Sequence, residues 1–175
     1  MNAIVFEAQK PVRASYKDNP SLANVVSRAR TSGADPSDPF HSLVEPNQGC
    51  GVVVPVGTHS GVGGPYDAPC PGDLLCAALA ACQDSTIRIV ANLLGVRLVS
   101  LDVRVTGQVD LRGALGISAD VPVGFQAFDC DVTLRVEEGT PPKLLQQLQA
   151  AAERACVVQQ TLRTPPAIRT TFEVG

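Results

Sequence analysis

Basic charge is in short supply: 14 Lys and Arg against 17 Asp and Glu give a net charge of −3. A polyanion finds little to hold, so nucleic acid is excluded as an expected partner. Long uninterrupted apolar runs are missing too, and no membrane partner is expected. The opening MNAIVFEAQKPVR lacks a basic head followed by a long apolar stretch, so it does not read as a secretory signal. Six cysteines occur, at 50, 70, 76, 82, 130 and 156, but none of the spacings makes a paired CxxC zinc knuckle. Neither a metal nor a cofactor is expected. Without a signal, the cytoplasm is the expected compartment, where thiols stay reduced unless they work.

What is present fits a globular fold. The chain has 175 residues, 45% apolar and 18% charged, enough for one domain with a real core. There are no repeats and no sign of a second domain. Residues 1–60 are poorly defined: a short strand is predicted over Leu22–Arg30, then the loop SGADPSDPFHSLVEPNQG, then a strand over Cys50–Val56. Thr58–Pro71 reads as a loop because Gly61, Gly63, Gly64 and Pro65 crowd it.

LLCAALAACQDSTIRIVANLL predicts one long helix over Leu74–Leu94, with Asp73 as N-cap and Gly95 as stop. It contains neither Gly nor Pro and is apolar on most sides, so burial is expected. Ala77, Ala78, Ala80 and Ala81 leave little bulk, which lets another element approach closely. Clean alternation predicts strands over Val99–Leu111, Phe128–Val136 and around Ile168–Val174. Between the last two, Thr140 and Pro141 open a second helix running to about Leu162. The sum is α+β. One small chain covers the first helix poorly, so a homodimer is expected.

Cys82 lies in mid-helix. A free cysteine is often just a small buried hydrophobe; if Cys82 is reactive, a nearby cation or hydrogen-bond donor must lower its pKa, because its own helix N-terminus is too far away. Cys76 is six residues earlier, about 240° around the helix, and cannot bridge to it. Cys156, in ERACVVQQTL, also has two readings, core or chemistry. So has His59 in GTHSGVGGP: a loop histidine in water, or an imidazole beside a thiolate. His41 has no such context. Gly61-Val-Gly-Gly64 and Gly113-Ala-Leu-Gly116 match a GxxG pattern but lack the basic setting of a nucleic-acid loop.

CPGDLLCAALAACQDSTIRIVANLLGVRL resembles the central-helix signature of the OsmC/Ohr family. ERACVVQQTL resembles that family's second-cysteine motif, and RGALGISADVPVGFQAF the strand connection of one OsmC-like branch. The resemblance covers roughly residues 63–174. It implies an OsmC-like intertwined dimer, its long buried central helix wrapped by antiparallel strands of both chains. It further implies a thiol peroxidase: Cys82 attacks an organic hydroperoxide, Cys156 resolves the sulfenic acid as a disulfide, and an external thiol or dithiol reduces it. Three departures stand out. Gly72 occupies the position of the family's glutamate, leaving Asp73 to orient the site or merely to cap the helix. The usual arginine has no clear counterpart; Arg28, Arg30 and Arg13 are candidates. The second motif reads Cys-Val-Val where Cys-Pro-Val is common. A protein that binds or senses a small electrophile without turnover is the alternative, and a dimeric scaffold with inert cysteines a third reading.

Overall fold

The computed structural model describes residues 4–32 and 34–175. Their order is α1 (Ile4–Asp18), β1 (Arg30–Thr31), β2 (His41–Glu45), β3 (Val54–Gly57), α2 (Pro71–Leu94), β4 (Leu98–Gln108), α3 (Leu111–Ala114), β5 (Ala127–Val136), α4 (Pro142–Ala155) and α5 (Val157–Arg163). The class is the expected α+β. Two compact units interleave along the chain. One takes Ile4, Val5, Ala78–Val103 and Val132–Gly175; the other takes the described residues of Phe6–Ala77 and Arg104–Asp131.

The first unit is built on a packed helix pair. Ile87, Val90 and Ala91 repeat at helical spacing on α2, as Leu144, Leu145, Leu148 and Ala152 do on α4. Ile87, Val90, Ala91, Val96, Leu148 and Ala152 form the buried core, with Leu98, Leu101 and Val103 of β4 and Val136 of β5 against it. Gly95 ends α2 as the sequence suggests. Its φ of +72° carries the chain out of the helix. Its N–H bonds the Asn92 carbonyl at 3.2 Å and that of Val96 bonds Ala91 at 2.8 Å. This paired pattern satisfies the last carbonyls and lays Val96 onto Ala91.

In the second unit, β1, β2 and β3 form an antiparallel sheet with Arg30 opposite Glu45 and His41 opposite Gly57. Buried Glu45 is satisfied by Arg30 Nε at 2.9 Å and by the Gly49 N–H at 2.8 Å. β4 pairs with β5 in a second sheet. The Gln126 N–H bonds the Gln108 carbonyl, and the Glu137 N–H bonds that of Arg97, so the two strands run antiparallel.

Several expectations need correction. The N-terminal stretch forms a helix, α1, that the sequence did not suggest, with Pro11 inside it. The predicted strand Leu22–Arg30 is a 3₁₀ turn at Pro20–Ala23 followed by irregular chain; only Arg30–Thr31 pairs. The predicted loop over residues 32–49 contains β2, while its Gly33 lies outside the described residues. The last predicted strand is absent: residues 164–175 have no regular structure, and Ile168, Phe172 and Val174 are 86–95% exposed. Alternation prepares a strand, but only an available edge makes one.

The second predicted helix is two helices. Cys156 sits between α4 and α5 with φ −72° and ψ 104°, an extended conformation that breaks the run. Asp73 is not the N-cap of α2. The helix begins at Pro71, so Asp73 is its third residue and reaches back to the Cys70 N–H at 2.8 Å, half of a capping box. At 24 residues, α2 is also long and apolar enough to cross a bilayer by length and composition, contrary to expectation. Gln83, Asp84 and Arg88 interrupt it, Arg88 Nε bonding Asp84 at 2.6 Å, and one face packs into the core.

Candidate active site

The candidate site of the first unit is the pair Cys82 and Cys156. The two thiols lie within hydrogen-bonding reach of each other. Cys82 is partly exposed, whereas Cys156 is 0% exposed. A solute therefore meets Cys82 first.

The break at Cys156 decides the surroundings of Cys82. Because α5 starts afresh at Val157, its first N–H groups have no carbonyl four residues back within the helix. Those of Val157 and Val158 act on the Cys82 thiol and lower its pKa. Thr86, one turn further along α2, bonds the Cys82 carbonyl at 2.7 Å and also approaches the thiol. Burial pushes the Cys82 pKa up. Against it act the Val158 N–H, the Cys156 thiol, the Val157 N–H and Thr86, and the net result lies below the ordinary thiol value. A reactive Cys82 requires such a donor; among the described residues the groups that act on its thiol in this way are the Val158 and Val157 backbone amides, the Cys156 thiol and Thr86. Nothing in ERACVVQQTL announces this. The paired β-branched valines weaken a helix only slightly.

Next to Cys82, Gln83 is 5% exposed, and its Oε1 has no hydrogen-bond partner among the described residues.

A family model described as OsmC-like protein matches residues 63–171. The chain belongs to the OsmC-like family. Solved structures agree on the fold. An OsmC-like protein from Mycoplasma pneumoniae superposes with a TM-score of 0.63 at 13% identity, covering 81% of this chain and 90% of that one. The organic hydroperoxide resistance protein OsmC of Legionella pneumophila gives 0.54 at 20% identity, covering 80% and 90%. An organic hydroperoxide resistance protein from Elizabethkingia anophelis gives 0.56 at 18%, covering 81% and 91%. No curated protein matches the sequence.

The other candidate residues of this OsmC-like protein fall in the second unit. His59 and Asp73 line a cavity of about 800 Å³ there, together with Cys70 and Cys76. Asp73 is held below the ordinary carboxylate range, chiefly by the Cys70 N–H and further by Tyr66 and His59, against a smaller opposing effect of burial. Burial, with the negative charge of Asp73, raises the pKa of Cys76. Arg30 is committed to Glu45 in the β1–β2 pair. Arg28 is exposed, and its carbonyl accepts the Gln48 N–H at 2.9 Å. Arg13 bonds Gln9 within α1. Tyr66, which no sequence signal singled out, takes a φ of +53°, packs its ring at a tilt against that of His59 with centroids 4.4 Å apart and donates to Asp73 at 3.3 Å.

Proposed function

We propose that this OsmC-like protein is a thiol-dependent peroxidase that reduces organic hydroperoxides in oxidative stress defence. The observation that carries the reading is the thiol pair: a partly exposed Cys82 with amide donors at its sulfur, and a sealed Cys156 within reach. The hydroperoxide resistance proteins that share the fold support the substrate class.

In the proposed cycle the Cys82 thiolate attacks the outer peroxide oxygen. An S–O bond forms, the O–O bond breaks, and the leaving alkoxide takes a proton to become an alcohol. Cys82 is left as a sulfenic acid. The Cys156 thiol attacks that sulfur, water departs, and a disulfide joins the two cysteines. An external thiol or dithiol then reduces the disulfide by exchange. The Val157 and Val158 amides stabilise the attacking thiolate, and the extended backbone at Cys156 presents the second sulfur. A cytoplasmic setting supplies the reductant.

The chain acts as a homodimer in this reading. Ile89 and Leu93 of α2 are 38–39% exposed, as are Ile168, Phe172 and Val174 of the tail at 86–95%, apolar surface that a second copy covers. Sedimentation showing a stable folded monomer at micromolar concentration overturns this part.

The test of the activity is mass spectrometry after one equivalent of cumene hydroperoxide. The expected product is a Cys82–Cys156 disulfide and one equivalent of cumyl alcohol. Unchanged thiols and unconsumed peroxide overturn the peroxidase reading. The neutral character of the donors around Cys82 favours one alternative, the trapping or sensing of a small electrophile. That reading predicts a stable adduct on Cys82 with no turnover.

A further inference from the structure

The cavity of the second unit has features that the thiol pair does not use. Its volume, about 800 Å³, is that of a small-molecule site. Most of the wall is apolar, from Val105, Val109, Leu111, Val123 and Phe125. Phe125 packs on Phe128 with ring centres 4.8 Å apart. Gly107 makes room for both: a Cβ there would stand 2.6 Å from the Phe125 ring and 3.0 Å from Phe128. A long, rigid apolar wall therefore faces a small polar end.

That end is organised. The Gly61 N–H donates to His59 Nδ1 at 2.9 Å. Nδ1 must then carry the lone pair, so the neutral ring bears its hydrogen on Nε2. Among the described residues Nε2 has no hydrogen-bond partner. Tyr66 packs its ring at a tilt against the imidazole, with its own hydroxyl tied to Asp73. A tyrosine at φ +53° is an uncommon backbone state, and here the ring and hydroxyl contacts hold it. Gly64, beside it, admits no side chain, since a Cβ would stand 2.2 Å from the Thr58 carbonyl oxygen. The loop thus holds the His59 Nε2–H donor in place.

Charge narrows the ligand further. Asp73 is the only Asp, Glu, Lys or Arg among the lining residues. It repels an anion. Its two oxygens already accept from Cys70 and Tyr66, and the start of α2 compensates its charge, so the site does not call for a cation either. We propose that this cavity is a binding site for an uncharged, mainly apolar molecule carrying one hydrogen-bond-accepting oxygen, a ketone or ester, with that oxygen on His59 Nε2 and the hydrocarbon along the Val105–Phe125 wall.

Calorimetric titration of the full-length protein with 2-decanone, decanoate and decylamine tests this, since the three share a chain and differ in the polar end. The ketone should bind one per chain with micromolar affinity, and both charged analogues at least tenfold more weakly. His59→Leu should weaken the ketone about tenfold, the worth of one hydrogen bond. Ala114→Trp alters an exposed lining residue and should abolish binding by filling the cavity without removing any packing. Absence of binding by any of the three overturns the proposal, as does equal affinity for all three. Ketone binding indifferent to both substitutions overturns it too. No peroxide is present in these titrations, so their outcome is independent of whether Cys82 turns over.

Discussion

Val157→Pro isolates the contribution of one amide to Cys82. Proline has no N–H, so the substitution deletes a single donor to the sulfur. The fold should accept it. Val157 is the first residue of α5, where proline is favoured, and its side chain is 71% exposed. The preceding residue must avoid the helical region, and Cys156 already has ψ 104°. A hydrogen bond to an anion contributes roughly 1.5 kcal/mol at the low end of its range, fitting for a partly exposed sulfur. That is about a tenfold loss of thiolate at pH values below the midpoint. The remaining thiolate is more basic and so more nucleophilic, by about threefold for a Brønsted slope near 0.45. Iodoacetamide should therefore alkylate Cys82 about threefold more slowly well below the midpoint and about threefold faster well above it. Peptide mass spectrometry across a pH series reads both limbs. A folded variant with an unshifted midpoint refutes the amide mechanism, and uniform slowing at every pH reveals a steric effect instead.

Cys156→Ala should leave peroxide consumption at one equivalent but halt at the sulfenic acid, which dimedone traps on Cys82; a variant that still turns over removes Cys156 from the cycle. Leu148→Ala empties a position that is 1% exposed at the centre of the first unit's core and should cost about 2–5 kcal/mol in urea unfolding; a loss below about 1 kcal/mol contradicts the packing. Gln83→Leu removes a buried oxygen that lacks a partner and should stabilise the protein by about 1 kcal/mol; destabilisation would mean that the oxygen is bonded in the assembled protein. His41 bonds Asp38 at 2.7 Å and Asp67 at 3.1 Å, which raises its pKa above the unfolded value of 6.5. Its contribution to stability is therefore complete below pH 6.5 and fades as pH rises through the raised folded value. Unfolding midpoints of wild type and His41→Asn should converge from pH 6 to pH 9, and a constant gap refutes the assignment.

The sequence by itself determined what depends on neighbours in the chain. α2 was legible from an unbroken apolar run, and its end from Gly95, because only a residue tolerant of positive φ closes a helix in that way. The alternation in β4 and β5, the family and the two motif cysteines were legible for the same reason: period and local spacing survive without a fold. Tertiary structure decided the rest. Ile168–Val174 alternates as a strand should, yet pairs with no strand among the described residues, since a strand needs an edge that no local pattern supplies. Asp73 looked like a cap by position, but the helix began two residues earlier, at Pro71, and its carboxylate turned back to Cys70. Cys156 lay inside a continuous helical pattern. Whether the chain breaks there depends on what the following amides can bond. Once the fold set Cys82 against them, two valines without polar side chains became donors to the Cys82 thiol, through backbone groups that every residue but proline carries and no sequence pattern distinguishes.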